Sequence, residues 1–135
     1  MSEIERLKHI SDFKRRYSNV ISWLSIEPLI GPLDFKVSTK MWEDFKLMDW
    51  IAVGGESGND SGKHRYRTAD LDWFKDIVSM GQEAKTPVFV RQLGRGLARN
   101  LRLRDGWGRK VEEWPEELRV REFPEEPTEP QGLFF

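Results

Sequence analysis

The sequence predicts an α/β fold in which a parallel sheet of three to four strands carries flanking helices. Three short apolar runs typical of strands alternate with segments whose apolar residues recur every three or four positions, as in helices. The strand runs are apolar at nearly every position, which is typical of burial on both faces of a parallel sheet. This alternation indicates right-handed βαβ connections within one domain.

The amino-terminal part of the chain predicts one helix and the first strand. Ser2 and Glu5 form a capping box, in which Ser2 caps the helix and Glu5 returns the bond. One apolar face is formed by Ile4, Leu7, Ile10, Phe13 and Tyr17. We expect this helix to end near Ser18-Asn19, and a strand to follow in "VISWLSIEP", which Pro28 stops.

The middle of the chain predicts two helices with a strand between them. The segment "STKMWEDFKLM" is typical of a short helix capped by Ser38 or Thr39, and the strand "WIAVG" follows it. A loop rich in Gly, Asn, Asp and Ser then runs to about Arg67. The clearest helix is "TADLDWFKDIVSMGQEAK", which Thr68 or Asp70 caps.

The carboxyl-terminal part predicts a third strand, a basic helix and a tail. The strand "VFVRQLG" begins after Pro87, and "GLARNLRLR" is typical of a basic helix. A Gly/Trp turn and the extended segment "LRVREFP" follow. We assign residues 1–124 to one α/β domain and residues 125–135 to a flexible, acidic and Pro-rich tail.

Composition excludes several classes of site. The 135 residues carry a net charge of −1 and include no Cys, so the chain's own residues form no disulfide, thiolate metal site or iron–sulfur cluster. No apolar run approaches the roughly 18 residues of a membrane-spanning helix. The charged amino terminus is unlike a signal peptide. We therefore expect a cytoplasmic protein that does not contact a membrane.

Charge is unevenly distributed along the chain. Between positions 91 and 110, seven basic residues stand against one Asp, whereas eight Glu stand against two Arg from position 111 to the end. The basic segment is a candidate for contacts with nucleic-acid phosphates. The alternative is that the acidic segment folds back and neutralises it.

Polar groups follow each of the three predicted strands. Glu27 ends the first strand, Gly54-Gly55-Glu56-Ser57 ends the second, and Arg91-Gln92 ends the third. Ligands of parallel α/β sheets bind beyond the carboxyl ends of the strands. We therefore predict a ligand-binding site at a common rim formed by Glu27, Gly54, Gly55, Glu56, Ser57, Arg91 and Gln92.

Each part of this predicted rim has a structural alternative. Glycines allow positive φ and close approach of a ligand, and neighbouring N–H groups can hold a carboxylate or phosphate. The alternative is a tight strand-to-loop turn with a solvated Glu56. Glu27 is equally suited to bonding nearby backbone, and Arg91 and Gln92 either clamp an anion or pair with Glu27 or Glu56.

The segment "KHRYR" adds a second candidate contact. Cations around an aromatic ring suit a nucleotide or single-stranded nucleic acid, and a solvated loop is the alternative. The candidate anion or nucleic-acid contacts are Lys63, His64, Arg65 and Arg67. The two histidines, His9 and His64, lie on different predicted elements, so we predict no metal site.

Five segments in this order and spacing resemble a known family: "WLSIEPLIGP", "DWIAVGGESG", "HRYR", "PVFVRQLG" and "WPEELRVREFP". The resemblance, from about Arg6 to Pro124, is to the carboxyl-terminal half of phage- and prophage-associated three-Cys-motif proteins. These uncharacterised proteins look like radical-SAM enzymes related to spore photoproduct lyase.

The resemblance implies a partial TIM barrel whose first half carries a three-cysteine cluster motif, so residues 1–124 would form a half-barrel. Glu27, Gly54, Gly55, Glu56 and Gln92 match the family at the strand ends. In radical-SAM enzymes a Gly-Gly-Glu segment can contact the methionine part of S-adenosylmethionine. Two positions depart from the family: Gly81 stands where relatives tend to have Cys, and Arg91 where they tend to have Lys.

These observations leave alternative functions open. One is a ligand- or partner-binding half-barrel of a split radical-SAM-like enzyme, with S-adenosylmethionine and an iron–sulfur cluster present only if a partner supplies the missing half. Another is a stand-alone phage protein, a host or defence-system inhibitor in the host cytoplasm, that binds protein or nucleic acid and forms a homodimer. The third is a fragment of a larger enzyme, although the capping box after Met1 favours a true start.

Overall fold

A computed structural model describes residues 2–125. Residues 126–135, most of the segment predicted to be a flexible tail, lie outside the described residues. The elements are α1 (Glu3–Arg16), β1 (Trp23–Ile26), α2 (Thr39–Lys46), β2 (Trp50–Gly54), α3 (Leu71–Ala84), β3 (Val88–Gln92) and α4 (Arg95–Asn100). Two 3₁₀ helices follow, Val111–Glu113 and Glu116–Leu118.

The helix caps follow from the local sequence. The capping box is confirmed: the Ser2 hydroxyl accepts from the Glu5 N–H, and the Glu5 carboxylate accepts from the Ser2 N–H. Of the alternatives left open, Ser38 caps α2 and Asp70 caps α3. The first helix ends at Arg16, slightly before the predicted Ser18-Asn19 boundary.

The strands form an open parallel sheet in the order β1-β2-β3. Trp23 pairs with Trp50 and Ile26 with Val53, and the second pairing runs from Ile51 opposite Val88. An α/β fold with a parallel sheet of three strands and flanking helices is therefore confirmed. This architecture is consistent with part of a barrel-like α/β fold.

The two faces of the sheet differ in burial. Helices cover one face, whose side chains form the core together with Leu7, Phe45 and Phe74 of α1, α2 and α3. The sheet residues on this buried face are Leu24, Ile26, Ile51, Val53, Val88 and Val90.

Aromatic side chains line the other face, which we call the aromatic face: Trp23, Trp50, Phe89 and Phe123. Trp23 is 49% exposed, while Trp50 and Phe89 are half-buried. The expectation of burial on both faces is wrong within the described residues, because no described helix covers this side. Continuous apolar strands here reflect a second face that is apolar but only partly covered.

The two edges of the sheet are also unequal. Residues 120–122 run antiparallel along the outer edge of β3, where the Val90 N–H donates to Val120 O at 2.9 Å and the Glu122 N–H donates to Val88 O at 2.9 Å. Among residues 2–125, β1 pairs with β2 alone. The sheet is therefore open on the β1 side, and a parallel strand added there would find unpaired backbone groups.

Helix α3 packs closely on β3 at Gly81. A Cβ built on Gly81 would collide with Val88 Cγ2 and lie 3.2 Å from Thr86 O. Val has a stiff χ1, so its methyl group cannot easily move away. A side chain at position 81 therefore requires a smaller residue at position 88.

We expect Gly81→Ala to lower the free energy of unfolding by about 1–3 kcal/mol through overpacking, although Ala favours a helix interior over Gly by about 1 kcal/mol. Urea unfolding measures this change. Gly31→Ala is the control, because an added Cβ there has no heavy atom within 4 Å. Val88→Ala should partly rescue Gly81→Ala, and a more stable Gly81→Ala protein would contradict this account of the packing.

Candidate functional site

The carboxyl ends of the three strands meet at one rim, as predicted. Glu27 follows β1, and its Oε1 accepts from Gln92 Nε2 of β3 at 3.0 Å. Its other oxygen, Oε2, lies 2.9 Å from Arg91 Nη1. The structure thus brings Glu27, Arg91 and Gln92 into direct contact. Internal pairing of Arg91 with Glu27, one of the two alternatives left open by the sequence, is observed.

A register shift in the sheet explains how two consecutive residues of β3 reach Glu27. Val53 pairs with Val90, but Gly54 pairs with Gln92, so β3 contains one extra residue at this point. A bulge of this kind re-aims side chains at the end of a strand. It leaves Gln92 opposite Gly54, with Arg91 beside it.

Gly54 makes room for the contact between the outer strands. An added Cβ at Gly54 would lie 2.8 Å from Glu27 Cδ and 3.0 Å from Gln92 Nε2. The two side chains therefore cross the end of β2 in the space that a side chain at position 54 would fill. Any other residue would push them apart.

Gly55 serves a different contact, between two backbones. An added Cβ at Gly55 would collide with Leu93 O, and the Gly55 N–H donates to Gln92 O at 3.1 Å. Gly94 has φ of 85°, and an added Cβ there would lie 2.9 Å from the Glu56 backbone N. The glycines of "GGESG" are therefore required by close packing within the chain.

Among residues 2–125, the Glu56 carboxylate bonds to one residue, Arg67. Its Oε2 lies 2.6 Å from Arg67 Nη2, and its Oε1 accepts from the Arg67 backbone N–H at 3.1 Å. The Arg67 hydrogen bond lowers the pKa of Glu56 from its ordinary value of 4.5 and outweighs the opposing effect of burial. Glu56 is thus a fixed carboxylate at neutral pH, and the alternative of a freely solvated Glu56 does not hold.

A cleft of about 640 Å³ opens beside these residues. We call it the rim cleft; its lining consists of Glu27, Pro28, Gly55, Glu56, Ser57, Gly58, Lys63, His64, Arg65 and Arg67. The predicted contacts Lys63, His64, Arg65 and Arg67 therefore share one cavity with Glu27, Gly55, Glu56 and Ser57. The predicted site residue Gly54 is not part of the lining. Arg91 and Gln92 bond to the Glu27 carboxylate but do not line the cleft.

The cations of the cleft are not all used within the chain. Arg67 pairs with Glu56, whereas Lys63 and Arg65 make no ion pair with any residue of the described range 2–125. Backbone bonds fix their loop, since the Asn59 N–H donates to His64 O at 2.9 Å. The cleft thus presents unneutralised positive charge above paired carboxylates, which suits an anionic ligand.

Long-range contacts around the site went unrecognised in the sequence. Asp60 binds Arg95 at 2.9 Å and Arg99 at 3.4 Å, which connects the loop to α4. Tyr66 is buried, and its hydroxyl lies 3.3 Å from Arg99 Nη1. No periodicity or motif signals pairs separated by some 35 residues, because such contacts depend on the tertiary fold.

Metal ions in proteins are bound by groups of His, Cys, Asp or Glu side chains that lie close together. Within residues 2–125, no group of three or more His, Asp or Glu side chains is arranged to hold a metal ion. Iron–sulfur clusters are held by Cys thiolates, and this sequence has none, so its own residues do not fit a cluster. No helix of the described range is long and apolar enough to cross a membrane.

The fold and the rim define an α/β protein with a polar cleft at the carboxyl ends of a parallel sheet. A family described as "Protein of unknown function (DUF5131)" matches residues 2–120, and the chain belongs to this family. Comparison with curated proteins and with solved structures gave no match.

The lowered pKa of Glu56 makes a pH-dependent contribution to stability. The contribution is present above about pH 4.5, the ordinary pKa, and is lost as the pH falls through the lower folded-state value. We expect Glu56→Gln to have a lower free energy of unfolding than the unsubstituted protein at pH 7. This difference in free energy should decrease below about pH 4.5. Urea unfolding at several pH values measures this difference.

The control for Glu56→Gln is Glu43→Gln, which removes an exposed ion pair with Lys46 on α2. Exposed pairs of this type contribute about 0.3–0.5 kcal/mol, so the control should change stability little at pH 7. The difference in the free energy of unfolding between Glu56→Gln and the unsubstituted protein could instead stay constant from neutral to acid pH. That result would show that the carboxylate charge does not stabilise this turn.

Proposed function

We propose that this chain is a ligand-binding half-barrel that works with a second polypeptide. In this proposal the rim cleft binds a small ligand that carries a carboxylate or phosphate group, and the open side of the sheet binds the partner. The observation that carries the proposal is one cleft where Glu27 and Glu56, which follow β1 and β2, lie beside Lys63 and Arg65. Lys63 and Arg65 make no ion pair within residues 2–125, and Gln92 of β3 holds Glu27 in place at the rim.

The chemistry of the cleft favours a ligand that bears both an anionic group and a donor. Lys63 and Arg65 supply positive charge for a carboxylate or phosphate. Ser57 and the Glu27 and Glu56 carboxylates supply acceptors for an amine or hydroxyl.

The open side of the sheet supports the partner. The free edge of β1 lies beside the half-exposed aromatic face, and Ile21 next to it is 46% exposed. An apolar face next to an unpaired strand edge is typical of a surface that another polypeptide covers. A barrel interior would enclose this face, because helices already cover the other one.

The resemblance to radical-SAM proteins suggests the identity of the partner. A phage-encoded, cluster-bearing half would supply S-adenosylmethionine chemistry, and the complex would act in the host cytoplasm. The methionine part of S-adenosylmethionine carries an amine and a carboxylate, which fits the donors and acceptors of the rim cleft. The alternative, a stand-alone phage protein that closes its sheet as a homodimer, uses the same open edge.

We expect weak binding of S-adenosylmethionine to the rim cleft. An NMR titration of the isolated chain should shift resonances of the cleft residues, and Lys63→Ala/Arg65→Ala should weaken binding at least about tenfold, because charge-assisted bonds are lost. Lys8→Ala/Arg16→Ala, two exposed changes on α1, is the matched control. Absence of saturable binding, or equal loss in both double variants, would refute the ligand assignment.

The partner assignment is tested at Trp23, at the start of the open edge. We expect a neighbouring gene product with a C-x-x-x-C-x-x-C motif to form a one-to-one complex on co-expression, and Trp23→Lys to abolish it. Val37→Lys, at a loop residue that is 69% exposed, should leave the complex intact. A homodimer that Trp23→Lys dissociates would instead establish the alternative, and a monomer that binds no such product would overturn both.

A further inference from the structure

A second basic concavity lies beside α4, outside the rim cleft. We call it the arginine groove; it has a volume of about 380 Å³ and is lined by Asp60, Arg95, Arg99, Arg102, Leu103 and Gly106. Three guanidinium groups thus face one carboxylate. None of these residues lines the rim cleft, so the groove is a separate site.

Arg102 occupies a backbone conformation that favours glycine. The Leu103 N–H donates to Ala98 O and the Arg102 N–H to Arg99 O, both at 3.0 Å, which forms a Schellman motif at the end of α4. Arg102 has the left-handed φ of 56° that this motif requires. An Arg at such a position has a conformational cost that Gly avoids, which suggests that its side chain has a use.

Neighbouring residues hold the other guanidinium groups in place. Arg95 bonds to Asp60 at 2.9 Å, and its Cζ lies 4.4 Å from the centre of the Trp107 ring. Asp60 also contacts Arg99 at 3.4 Å. Because these groups are ordered before any ligand binds, an anion in the groove would immobilise few additional side chains.

The positive surface continues past the groove. Arg102 also lines an adjacent hollow with Arg104 and Lys110, together with the carboxylates Glu112 and Glu113. Arg102, Arg104 and Lys110 make no ion pair with any residue of the range 2–125. The described part of the acidic segment, up to residue 125, therefore does not neutralise these cations by direct pairing.

We propose that the arginine groove binds the phosphate backbone of a single-stranded nucleic acid. Guanidinium groups bind phosphate oxygens through paired hydrogen bonds, and successive cations match a repeating anion. Trp107 is 38% exposed beside Arg95 and Arg109, so an aromatic ring lies among the cations, as in single-strand binding surfaces. This proposal does not rest on the function proposed for the rim cleft.

Two glycine substitutions separate nucleic-acid binding from folding. Arg102→Gly relieves the left-handed conformation and should raise the urea midpoint, while it weakens binding of a fluorescent oligothymidine about fivefold to tenfold. The slope of log K against log salt should fall by about 0.7, the value for one phosphate contact on a single strand. Fluorescence anisotropy from about 50 mM salt upward measures both quantities.

Lys85→Gly is the matched control. Lys85 ends α3 in a second Schellman motif with φ of 57°, and it is exposed outside the groove. Its replacement should raise the urea midpoint as Arg102→Gly does, but leave oligonucleotide affinity and salt slope unchanged. Arg99→Gln is a second groove variant, which should weaken binding without relieving any left-handed residue.

Several results would overturn the assignment of the groove. These are no oligonucleotide binding at the lowest salt, unchanged affinity in both Arg102→Gly and Arg99→Gln, or an equal loss of affinity in Lys85→Gly. Tighter binding of duplex DNA, or of an acidic peptide, would show that the ligand class is wrong. Arg102→Gly should leave S-adenosylmethionine binding to the rim cleft unchanged, because Arg102 does not line that cleft. Failure of the rim-cleft proposal is therefore distinguishable from failure of this one.

Discussion

The contact between Gln92 and Glu27 across Gly54 is the interaction on which the candidate site depends. The Gln92 amide donates to both Glu27 Oε1 and Gly55 O, so one side chain connects the ends of all three strands. The same contact fixes Glu27, whose other oxygen is then available to Arg91. This geometry exists only because position 54 has no side chain and because β3 gains one residue beside it.

Much of the fold and the position of the rim could be predicted from the sequence. Helix starts depend on nearby side chains such as Ser2 and Glu5, and strands depend on short apolar runs, so local patterns identify both. The rim followed from topology, because parallel strands place their carboxyl ends on one edge. The local sequence did not distinguish Thr68 from Asp70 as the cap of α3, since either side chain could accept a hydrogen bond from a backbone N–H of the first turn.

What could not be predicted depends on contacts between distant segments. The apolar residues Trp50 and Phe89 suggested burial on both faces, because sequence does not reveal which face lacks a covering layer. The glycines suggested room for a ligand, whereas Gly55 instead accommodates the backbone of Leu93. The bond between Asp60 and Arg95 likewise depends on how the loop folds against α4.

The unequal edges of the sheet restrict how a larger assembly could form. Residues 120–122 occupy the outer edge of β3 in the antiparallel direction, so a further parallel strand cannot pair there without displacing them. The β1 edge has no such cover within the described residues, and the aromatic face lies directly beside it. Extension of the sheet from β1 would satisfy unpaired backbone groups and cover apolar surface in the same step, since both lie on that side of the molecule. A partner at this edge would also approach Glu27 at the end of β1, so that sheet extension would bring new residues to the rim cleft in the same step.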